Sequence, residues 1–304
     1  MACYVKGEGS CAIGPPTHED GVYTEPHPFH SDHSMSGQLV TEGSASATRE
    51  TKSAVTVVIP CYNEREGIEP LDRILDSVER TLSDVYAVDF LFVDDCSNDG
   101  TWDMLRRLCR SRSNRRVVRH VENRGVAAAI CTGIDEAHSD VVCSIDSDCT
   151  YDPHELRRMI PLLSEGVDLV TASPYHPGGA VVGVPAWRLF LSKTLSFMYR
   201  RLLPDKLYTY TSCFRVYRKS AVSKLALRET GFVGVAELIA EMSLRGSRIV
   251  EYPTTLSTRT VGTSKMKTVR TIMGHLRLLL SILGDAHSLK KSNDPTSLVE
   301  DDAV

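Results

Sequence analysis

The sequence predicts an α/β fold: a central, mainly parallel sheet flanked by helices. Between residues 54 and 145, short apolar segments rich in β-branched residues alternate with longer segments of helical periodicity. This alternation is typical of parallel sheets with right-handed crossover helices. Polar clusters directly follow three of the apolar segments. Because ligands bind beyond the carboxyl ends of the strands in such sheets, these clusters are the first candidates for a functional site.

The first half of the chain predicts four strands and three helices. Residues 55–59 form a β-branched apolar segment that ends at Pro60, as expected for a buried strand. Residues 66–82 then place apolar side chains three and four positions apart, as expected for a helix with one buried face. The same reasoning predicts strands at residues 89–93, 116–120 and 141–145, and helices around residues 102–108 and at 125–138.

The second half of the chain has a less regular pattern. It predicts strands at residues 167–173, 213–217 and 248–252, helices at 186–203, 219–227, 234–245 and 265–284, and a loop rich in Gly and Pro at 174–185. We therefore expect one α/β domain over residues 53–284, with residues 53–175 and 176–284 as its two halves.

The two ends of the chain differ from this domain in composition. Residues 1–52 are rich in Gly, Ser, Thr, Pro and His and have almost no apolar periodicity. Such a segment cannot bury enough surface to offset the entropy of ordering, so we expect a disordered N-terminal tail. Residues 285–304 are again polar and predict a flexible C-terminal tail.

The overall composition excludes some classes of function. A net charge of −4 leaves no excess of cations to neutralise nucleic-acid phosphates, so no nucleic-acid partner is expected. The nine cysteines occur singly, which is typical of free thiols in a reducing compartment. No apolar run reaches the ~18 residues of a transmembrane helix, and no secretory signal is visible. The expectation is a cytoplasmic protein, soluble or peripheral on the cytoplasmic membrane face.

The helix predicted at residues 186–203 allows two interpretations. Its sequence mixes aromatic side chains with four basic ones, Arg188, Lys193, Arg200 and Arg201. Such a helix can lie at a membrane surface, with its apolar face down and its cations toward anionic lipid. It can equally pack against the core and keep a solvated basic edge.

Asp146-Ser-Asp148 directly follows the strand predicted at residues 141–145. Two carboxylates at this spacing can hold a hard divalent cation through their oxygens, and the cation can neutralise a diphosphate leaving group. Acidic loops are also common on protein surfaces, where they are simply solvated. The position at a strand end, together with two further polar clusters, favours a metal site, and we expect Mg2+ or Mn2+ there.

A second cluster begins with Asp94 and Asp95 at the end of the strand predicted at residues 89–93. Carboxylates at a strand end are well placed to accept hydrogen bonds from a nucleobase or a ribose. The following Ser97 and Asp99 are suited to capping the next helix, which is the purely structural interpretation of this segment.

A third cluster, Pro60-Cys-Tyr62-Asn-Glu64, ends the first predicted strand. Tyr62 can stack on or flank a base, and Glu64 can hydrogen-bond a ribose. Structurally, the same residues are equally suited to a turn followed by a helix start.

In combination, these segments resemble the family 2 glycosyltransferases of the GT-A fold, a Rossmann-like fold of nucleotide-diphospho-sugar transferases. The resemblance covers about residues 53–175 and rests on Val-Val-Ile-Pro-Cys-Tyr-Asn-Glu (57–64), Phe-Val-Asp-Asp-Cys-Ser-Asn-Asp-Gly-Thr (92–101), Asn-Arg-Gly-Val-Ala-Ala-Ala (123–129) and Asp-Ser-Asp (146–148). It implies that Asp95 meets the nucleoside and that Asp146 and Asp148 bind the metal and diphosphate. It also implies a frame for the nucleotide, made by Pro60, Tyr62 and Glu64. The chain departs from the family at Cys96, where the usual residue is Gly.

The second half resembles the dolichol- and polyprenyl-phosphate mannose synthases of this family. Residues 212–218 are similar to their Phe-Arg-x-Tyr-Arg segment, and residues 259–265 to their Arg-x-x-Gly-x-Ser-Lys segment. Gly178-Gly179, followed by Arg188 and Ser192, is also similar to this branch. The resemblance implies that basic residues of these segments face a phosphate of the donor or of the lipid acceptor; they are Arg215, Arg218, Arg259 and Lys265. Arginine suits that role because its guanidinium forms bidentate hydrogen bonds with phosphate.

The resemblance implies an inverting, metal-dependent hexose transfer. The implied donor is GDP-mannose, with a UDP-sugar as the alternative, and the implied acceptor is a polyprenyl or dolichyl phosphate. Asp148 and Arg259 are the expected catalytic residues, and a hydroxyl acceptor would also need a general base, for which Glu237 or Glu241 is the candidate. Two other functions remain open: a glycosyltransferase of the same fold with a soluble saccharide or metabolite as acceptor, and a non-catalytic nucleotide-sugar-binding protein.

Overall fold

The computed structural model describes residues 52–258 and 268–292. The strands in these ranges are β1 (Ser53–Cys61), β2 (Tyr86–Asp94), β3 (Arg115–Arg119), β4 (Val141–Ser144), β5 (Leu169–Ser173), β6 (Ala180–Val181), β7 (Arg215–Arg218), β8 (Ile249–Pro253) and β9 (Thr255–Leu256). The α-helices are α1 (Ile68–Leu82), α2 (Thr101–Ser111), α3 (Val126–Glu136), α4 (Leu156–Met159), α5 (Ala186–Leu202), α6 (Lys219–Val222), α7 (Phe232–Leu244) and α8 (Thr268–Ser292).

Seven strands form one central sheet in the order β3-β2-β1-β4-β7-β5-β8. All neighbouring strands run parallel, except that β7 is antiparallel to both β4 and β5. Strands β6 and β9 pair separately, in a parallel two-stranded ribbon. The predicted α/β class with a mainly parallel sheet is therefore confirmed.

Strand β7 joins the two halves of the chain into one sheet. It lies between β4 and β5, and its first residue, Arg215, is in register with Ser144 on one side and Thr171 on the other. Because β7 comes from the second half and both of its neighbours come from the first half, the halves proposed from the sequence share one sheet.

Helices cover both faces of the central sheet. Successive side chains of a strand point to opposite faces, so that Phe90 and Leu91 of β2 belong to different clusters of buried residues. Phe90 packs in the cluster that contains α1 and α4, and Leu91 packs in the cluster that contains α3, α5, α7 and α8. No helix within residues 52–258 and 268–292 is both long enough and apolar enough to cross a membrane.

Two helices differ in length from the sequence prediction. Helix α6 ends at Val222 rather than at residue 227, because the chain leaves the helix to bring the amides of Arg228 and Glu229 to a buried carboxylate. Helix α8 ends at Ser292, beyond the start of the predicted C-terminal tail at residue 285. The polar composition of residues 285–292 suggested a tail, but these residues include no proline, and their Ala, Leu and Lys residues are good helix formers.

Candidate active site

The three polar clusters lie at one edge of the sheet. Strands β2, β1 and β4 are direct neighbours and parallel, so their carboxyl ends are adjacent, and Cys61 is in register with Asp94. Each of the following loops contains one non-glycine residue with a positive φ: Asn63 (54°), Cys96 (61°) and Cys149 (49°). In the described part of the chain, no other non-glycine residue has this backbone conformation. Such conformations cost energy and concentrate at functional sites, which supports a shared site at this edge.

Hydrogen bonds fasten the loop after β1 to the loop after β2. The backbone N–H of Asn63 donates to the Ser97 hydroxyl (2.8 Å), and the N–H of Asn98 donates to the Asn63 side-chain oxygen (2.8 Å). The N–H of Glu64 donates to the Thr101 hydroxyl (2.8 Å). Ser97 therefore holds the neighbouring loop instead of capping α2. Tyr62, Glu64 and Pro60 lie half-buried beside these contacts, and their nucleotide role stays a prediction.

The Asp94 carboxylate is completely buried beneath this pair of loops. One of its oxygens, Oδ2, pairs with Nε of Arg119 (3.0 Å) and accepts from the N–H of Ser97 (3.4 Å). Its Oδ1 has no hydrogen-bond partner among the residues that the structure describes. Arg119 itself lies over the Trp102 ring, with its guanidinium carbon 5.2 Å from the ring centroid. Asp94 thus serves at least to hold Arg119 at the site edge.

The Asp95 carboxylate, also buried, holds a third loop. Its Oδ1 accepts from the N–H of Arg124 (2.8 Å) and lies 2.7 Å from Nδ1 of His120, while its Oδ2 accepts from the N–H of Gly125 (2.7 Å). The other ring nitrogen of His120 lies 2.9 Å from the Thr132 hydroxyl. Asp95 is therefore largely engaged by the protein's own backbone. None of the motifs includes His120, although its position directly after β3 was a usable signal.

Asp146 and Asp148 lie in a tight turn directly after β4. The N–H of Cys149 donates to the Asp146 carbonyl (3.2 Å), and the N–H of Thr150 donates to Oδ1 of Asp148 (3.1 Å). Burial raises the pKa of the Cys149 thiol to about 12, and the carboxylates of Asp148 and Asp146 add to the rise. The thiol is therefore protonated at neutral pH, mainly because burial disfavours the thiolate.

The donor atoms at this turn fit a hard divalent cation. The aspartate pair provides carboxylate oxygens, which Mg2+ and Mn2+ prefer as ligands. Within residues 52–258 and 268–292, no group of three or more His, Cys, Asp or Glu side chains could enclose a metal ion. A site with two carboxylates suits an ion whose other ligands are water and substrate phosphates.

Arg215, predicted to face a phosphate, is completely buried in the sheet. Its Nη2 donates to the Tyr210 carbonyl (3.0 Å), but its Nε and Nη1 have no partner among the described residues. The neighbouring hydroxyl of Thr171 also has no partner in this part of the chain. Arg215 is buried because β7 lies between β4 and β5, a position that no local pattern reveals. Its role beside a phosphate stays a prediction.

Glu237, the candidate general base, is buried in α7 and only 2% exposed. Its two oxygens accept hydrogen bonds from the N–H groups of Arg228 (3.1 Å) and Glu229 (2.8 Å). The alternative candidate, Glu241, lies one turn later and pairs with Arg245 (3.4 Å). A base must reach the proton that it removes, so the engagement of Glu237 by backbone amides favours a positioning role. Arg259 and Lys265 lie outside the described residues, and their roles stay predictions.

The family match and the similar proteins of known name all point to glycosyltransferases. Residues 56–226, more than half of the chain, match glycosyl transferase family 2. The chain is 33% identical over 231 residues to a polyprenol monophosphomannose synthase from Mycolicibacterium smegmatis, covering 74% of this chain and 85% of that protein. It is 31% identical over 233 residues to a dolichol-phosphate mannosyltransferase from Pyrococcus furiosus, covering 75% of this chain. That match spans 63% of the Pyrococcus protein, less than two thirds of its length.

A solved structure agrees with the fold. The crystal structure of glucosyl-3-phosphoglycerate synthase from Mycobacterium tuberculosis, in complex with Mn2+, UDP-glucose and phosphoglyceric acid, superposes with a TM-score of 0.58. The identity is 20%, and the superposition covers 76% of this chain and 80% of that chain. At such identity the likeness concerns the fold alone. With the family match, it confirms the resemblance carried by the four motifs: the chain belongs to glycosyl transferase family 2 and has the GT-A fold.

Proposed function

We propose that this chain transfers a hexose, with mannose as the first candidate, from a nucleotide sugar to the phosphate of a polyprenyl lipid. The proposal is supported by two relatives whose names specify mannosyl transfer involving dolichol phosphate or a polyprenol phosphate. The observation that carries it is the Asp146–Asp148 turn at the end of β4, beside the loops of β1 and β2. GDP-mannose is the proposed donor, and a UDP-sugar is the alternative.

Asp146 and Asp148 are the proposed metal ligands. Mg2+ or Mn2+ bound to them would neutralise the charge that develops on the departing nucleoside diphosphate. The chain's own contribution is to hold both carboxylates in one turn, fixed by the amides of Cys149 and Thr150. The loops after β1 and β2, joined by Asn63, would form the nucleotide side of the site.

A phosphate acceptor agrees with the lack of an accessible base at Glu237. The phosphate oxygen is already ionised at neutral pH, so it can attack the anomeric carbon without losing a proton to the protein. The carbon–oxygen bond to the nucleoside diphosphate breaks as the new bond forms on the opposite face, with inversion. A hydroxyl acceptor would require a base within hydrogen-bond reach, and both oxygens of Glu237 already accept hydrogen bonds from backbone amides.

Helices α5 and α8 provide a surface suited to a lipid acceptor. They pack against each other, and both expose large apolar side chains, including Phe190 (70% exposed), Phe197 (61%) and Leu280 (67%). Up to residue 284, the two helices carry six basic residues and no acidic one; the basic residues are Arg188, Lys193, Arg200, Arg201, Arg270 and Arg277. Exposed apolar groups with cations and without carboxylates suit the interface of an anionic bilayer. These features support the proposal that the chain acts as a peripheral protein at a membrane surface.

The acceptor class is tested by following the sugar into a lipid product. Purified protein is incubated with radiolabelled GDP-mannose or UDP-glucose and Mn2+, with and without a short polyprenyl phosphate, and the mixture is extracted with organic solvent. We expect label in the organic phase only when the lipid is present. Asp148→Ala should lower this transfer at least about 100-fold, because it removes a ligand of the charge-stabilising cation.

The matched control for this experiment is Asp84→Ala. Asp84 is an exposed carboxylate before β2, at the opposite end of the sheet, and its loss should leave transfer unchanged. If the labelled product is a new sugar compound that stays in the aqueous phase, the acceptor is a soluble molecule and not the polyprenyl lipid. Binding of the nucleotide without any turnover of donor would instead indicate a non-catalytic nucleotide-sugar-binding protein.

A further inference from the structure

Glu237 joins α7 to the segment that precedes it. The carboxylate is buried, and it accepts hydrogen bonds from the amides of Arg228 (3.1 Å) and Glu229 (2.8 Å). Hydrogen bonds from amides to a buried carboxylate are charge-assisted and therefore stronger than those between neutral groups. They fix residues 228–231, a segment outside regular secondary structure that we call the clamp segment.

The clamp segment lies against the N-terminus of α3. The N–H of Ala128, in the first turn of α3, donates to the carbonyl of Thr230 (3.0 Å). Gly125, just before this helix, has a φ of 95°. A Cβ added to Gly125 would lie 2.7 Å from the Thr230 oxygen and 2.9 Å from Cα of Gly231. The two backbones are therefore in direct contact, at a distance that only glycine permits.

The opposite side of the same loop is held by Asp95. Its carboxylate accepts from the amides of Arg124 (2.8 Å) and Gly125 (2.7 Å), and the Asn123 side chain donates to its carbonyl (3.2 Å). Residues 123–125, which we call the donor loop, are thus held between Asp95 on one side and the clamp segment on the other. The donor loop follows the carboxyl end of β3, at the sheet edge where the nucleotide is proposed to bind.

We propose that Glu237 is a positioning residue for the donor site: it holds the clamp segment against Gly125 and so fixes the donor loop beside Asp95. This inference rests on the proposed function in one respect, that nucleotide binds at this edge of the sheet. It assigns to Glu237 an effect on donor affinity instead of a proton transfer. The connection also explains why a glutamate in the second half of the chain is buried with both oxygens bound to backbone amides.

The test is Glu237→Gln, with donor kinetics and nucleotide binding as readouts. Glutamine keeps one acceptor oxygen but turns an NH2 group toward an amide, so one charge-assisted hydrogen bond is lost. We expect the KM for the donor and the Kd for GDP or UDP, measured by calorimetry, to rise about tenfold. The kcat at saturating donor and its pH profile should stay within about twofold of wild type.

The opposite result assigns a different role. A kcat that falls by about 100-fold or more with unchanged nucleotide affinity, together with the loss of the acidic limb of the pH profile, would establish Glu237 as the base and overturn the inference. The inference would also be overturned if wild type and Glu237→Gln had the same nucleotide affinity and the same donor kinetics. Glu165→Gln is the matched control, because Glu165 is an exposed glutamate that precedes β5.

A second variant tests the contact from the other side. Gly125→Ala should weaken nucleotide binding without any change at Glu237, because the added methyl group displaces the clamp segment. The double variant should lose less affinity than the two single losses combined, since both act on one contact. If the losses of nucleotide affinity in the two single variants add fully in the double variant, the inference is contradicted. If Glu237→Gln does not fold, Gly125→Ala alone still tests the inference. Because nucleotide binding needs no acceptor, failure of lipid transfer alone would refute only the proposed acceptor.

Discussion

Cys96 adopts a backbone conformation that normally belongs to glycine. Its φ is 61°, and the related glycosyltransferases that the motif resembles usually have Gly after the aspartate pair. The left-handed conformation costs a residue with a Cβ about 1–2 kcal/mol. The same geometry occurs at Asn63 and Cys149, so all three loops of the proposed site contain such a residue. The conformation is therefore part of how these loops turn away from their strands.

Cys96→Gly should be tolerated and should raise the free energy of unfolding by up to about 1 kcal/mol. The gain is smaller than the full relief of strain, because glycine also makes the unfolded chain more flexible. Cys109→Gly, within α2, is the control and should lower the free energy by about 1 kcal/mol. Urea unfolding measures both. A loss of stability at Cys96 equal to that at Cys109 would show that the backbone there is not strained.

The positions of the aspartate pairs could be predicted from sequence, but their partners could not. Asp94, Asp95, Asp146 and Asp148 follow apolar strands that are easily recognised, and parallel strands bring their carboxyl ends together. The engagement of Asp95 by Gly125 joins residues 30 positions apart. Likewise, the burial of Arg215 depends on the insertion of β7 between β4 and β5. Contacts of this kind are set by topology, and no local periodicity encodes them.

At the scale of elements, Arg115 connects β3 to α1. Its guanidinium is buried and pairs with Asp72 (2.9 Å) and Asp76 (2.7 Å) of α1, and it lies over the Phe90 ring at 4.6 Å. Arg115→Met should lower the free energy of unfolding by about 3 kcal/mol, because the carboxylates lose a buried partner. Urea unfolding measures the loss.

Arg112 provides the matched control for that prediction. It pairs with the same Asp76 (2.6 Å), but its side chain is exposed, where water screens the interaction. Arg112→Met should therefore have a much smaller effect than Arg115→Met. Equal effects of the two substitutions would mean that burial of Arg115 does not determine the strength of its ion pairs.

His275 links α8 to α5 through a neutral imidazole. Its Nδ1 lies 2.9 Å from the Tyr199 hydroxyl, and burial lowers its pKa from 6.5 to about 4. The unfolded chain therefore binds a proton at this residue between pH 6.5 and 4, while the folded chain does not. Folding stability from this group is fully present above pH 6.5 and falls as the pH drops toward 4, by roughly 3 kcal/mol in total.

His275→Gln should flatten the fall of stability between pH 7 and pH 4.5. The variant removes the buried titrating group while it keeps a polar side chain near Tyr199. Urea unfolding at several pH values measures the slope, and His138→Gln, at an exposed histidine, should leave the wild-type slope unchanged. An unchanged slope in His275→Gln would show that other groups cause the acid sensitivity.

The lengths of the elements were predicted less well than their existence. Strands β1, β2 and β4 and helices α1 and α5 lie where apolar periodicity places them. Helix α6 is shorter than predicted because the amides of the clamp segment are bound by Glu237, a tertiary contact. Antiparallel β7 was recognised as a strand, but its direction and its place between two earlier strands follow only from the assembled sheet.

For the whole molecule, the distribution of charge is more informative than its sum. The chain has a net charge of −4, yet α5 and α8 carry six basic and no acidic residues up to residue 284. The remainder of the chain is therefore strongly acidic. Cations are concentrated beside the exposed apolar side chains, an arrangement that favours one orientation at an anionic surface.

The full chain should bind vesicles that contain anionic lipid more tightly than neutral vesicles, and added salt should weaken the binding. Phe190→Glu with Phe197→Glu should reduce vesicle binding at least about tenfold, since both side chains are exposed on α5. Cosedimentation measures this. Val85→Glu is the control, an exposed apolar residue before β2. Equal binding of neutral and anionic vesicles would contradict the proposed surface.

The central claim is that Asp146 and Asp148 hold the cation that makes a nucleotide sugar reactive. The most direct measurement is the release of GDP as mannose passes from GDP-mannose to a short polyprenyl phosphate, for wild type, Asp148→Asn and Asp84→Asn, with Mn2+, with Mg2+ and with chelator. We predict release that requires the metal, falls at least about 100-fold in Asp148→Asn and is unchanged in Asp84→Asn. Release by Asp148→Asn at the wild-type rate, or by wild type in chelator, would contradict the claim.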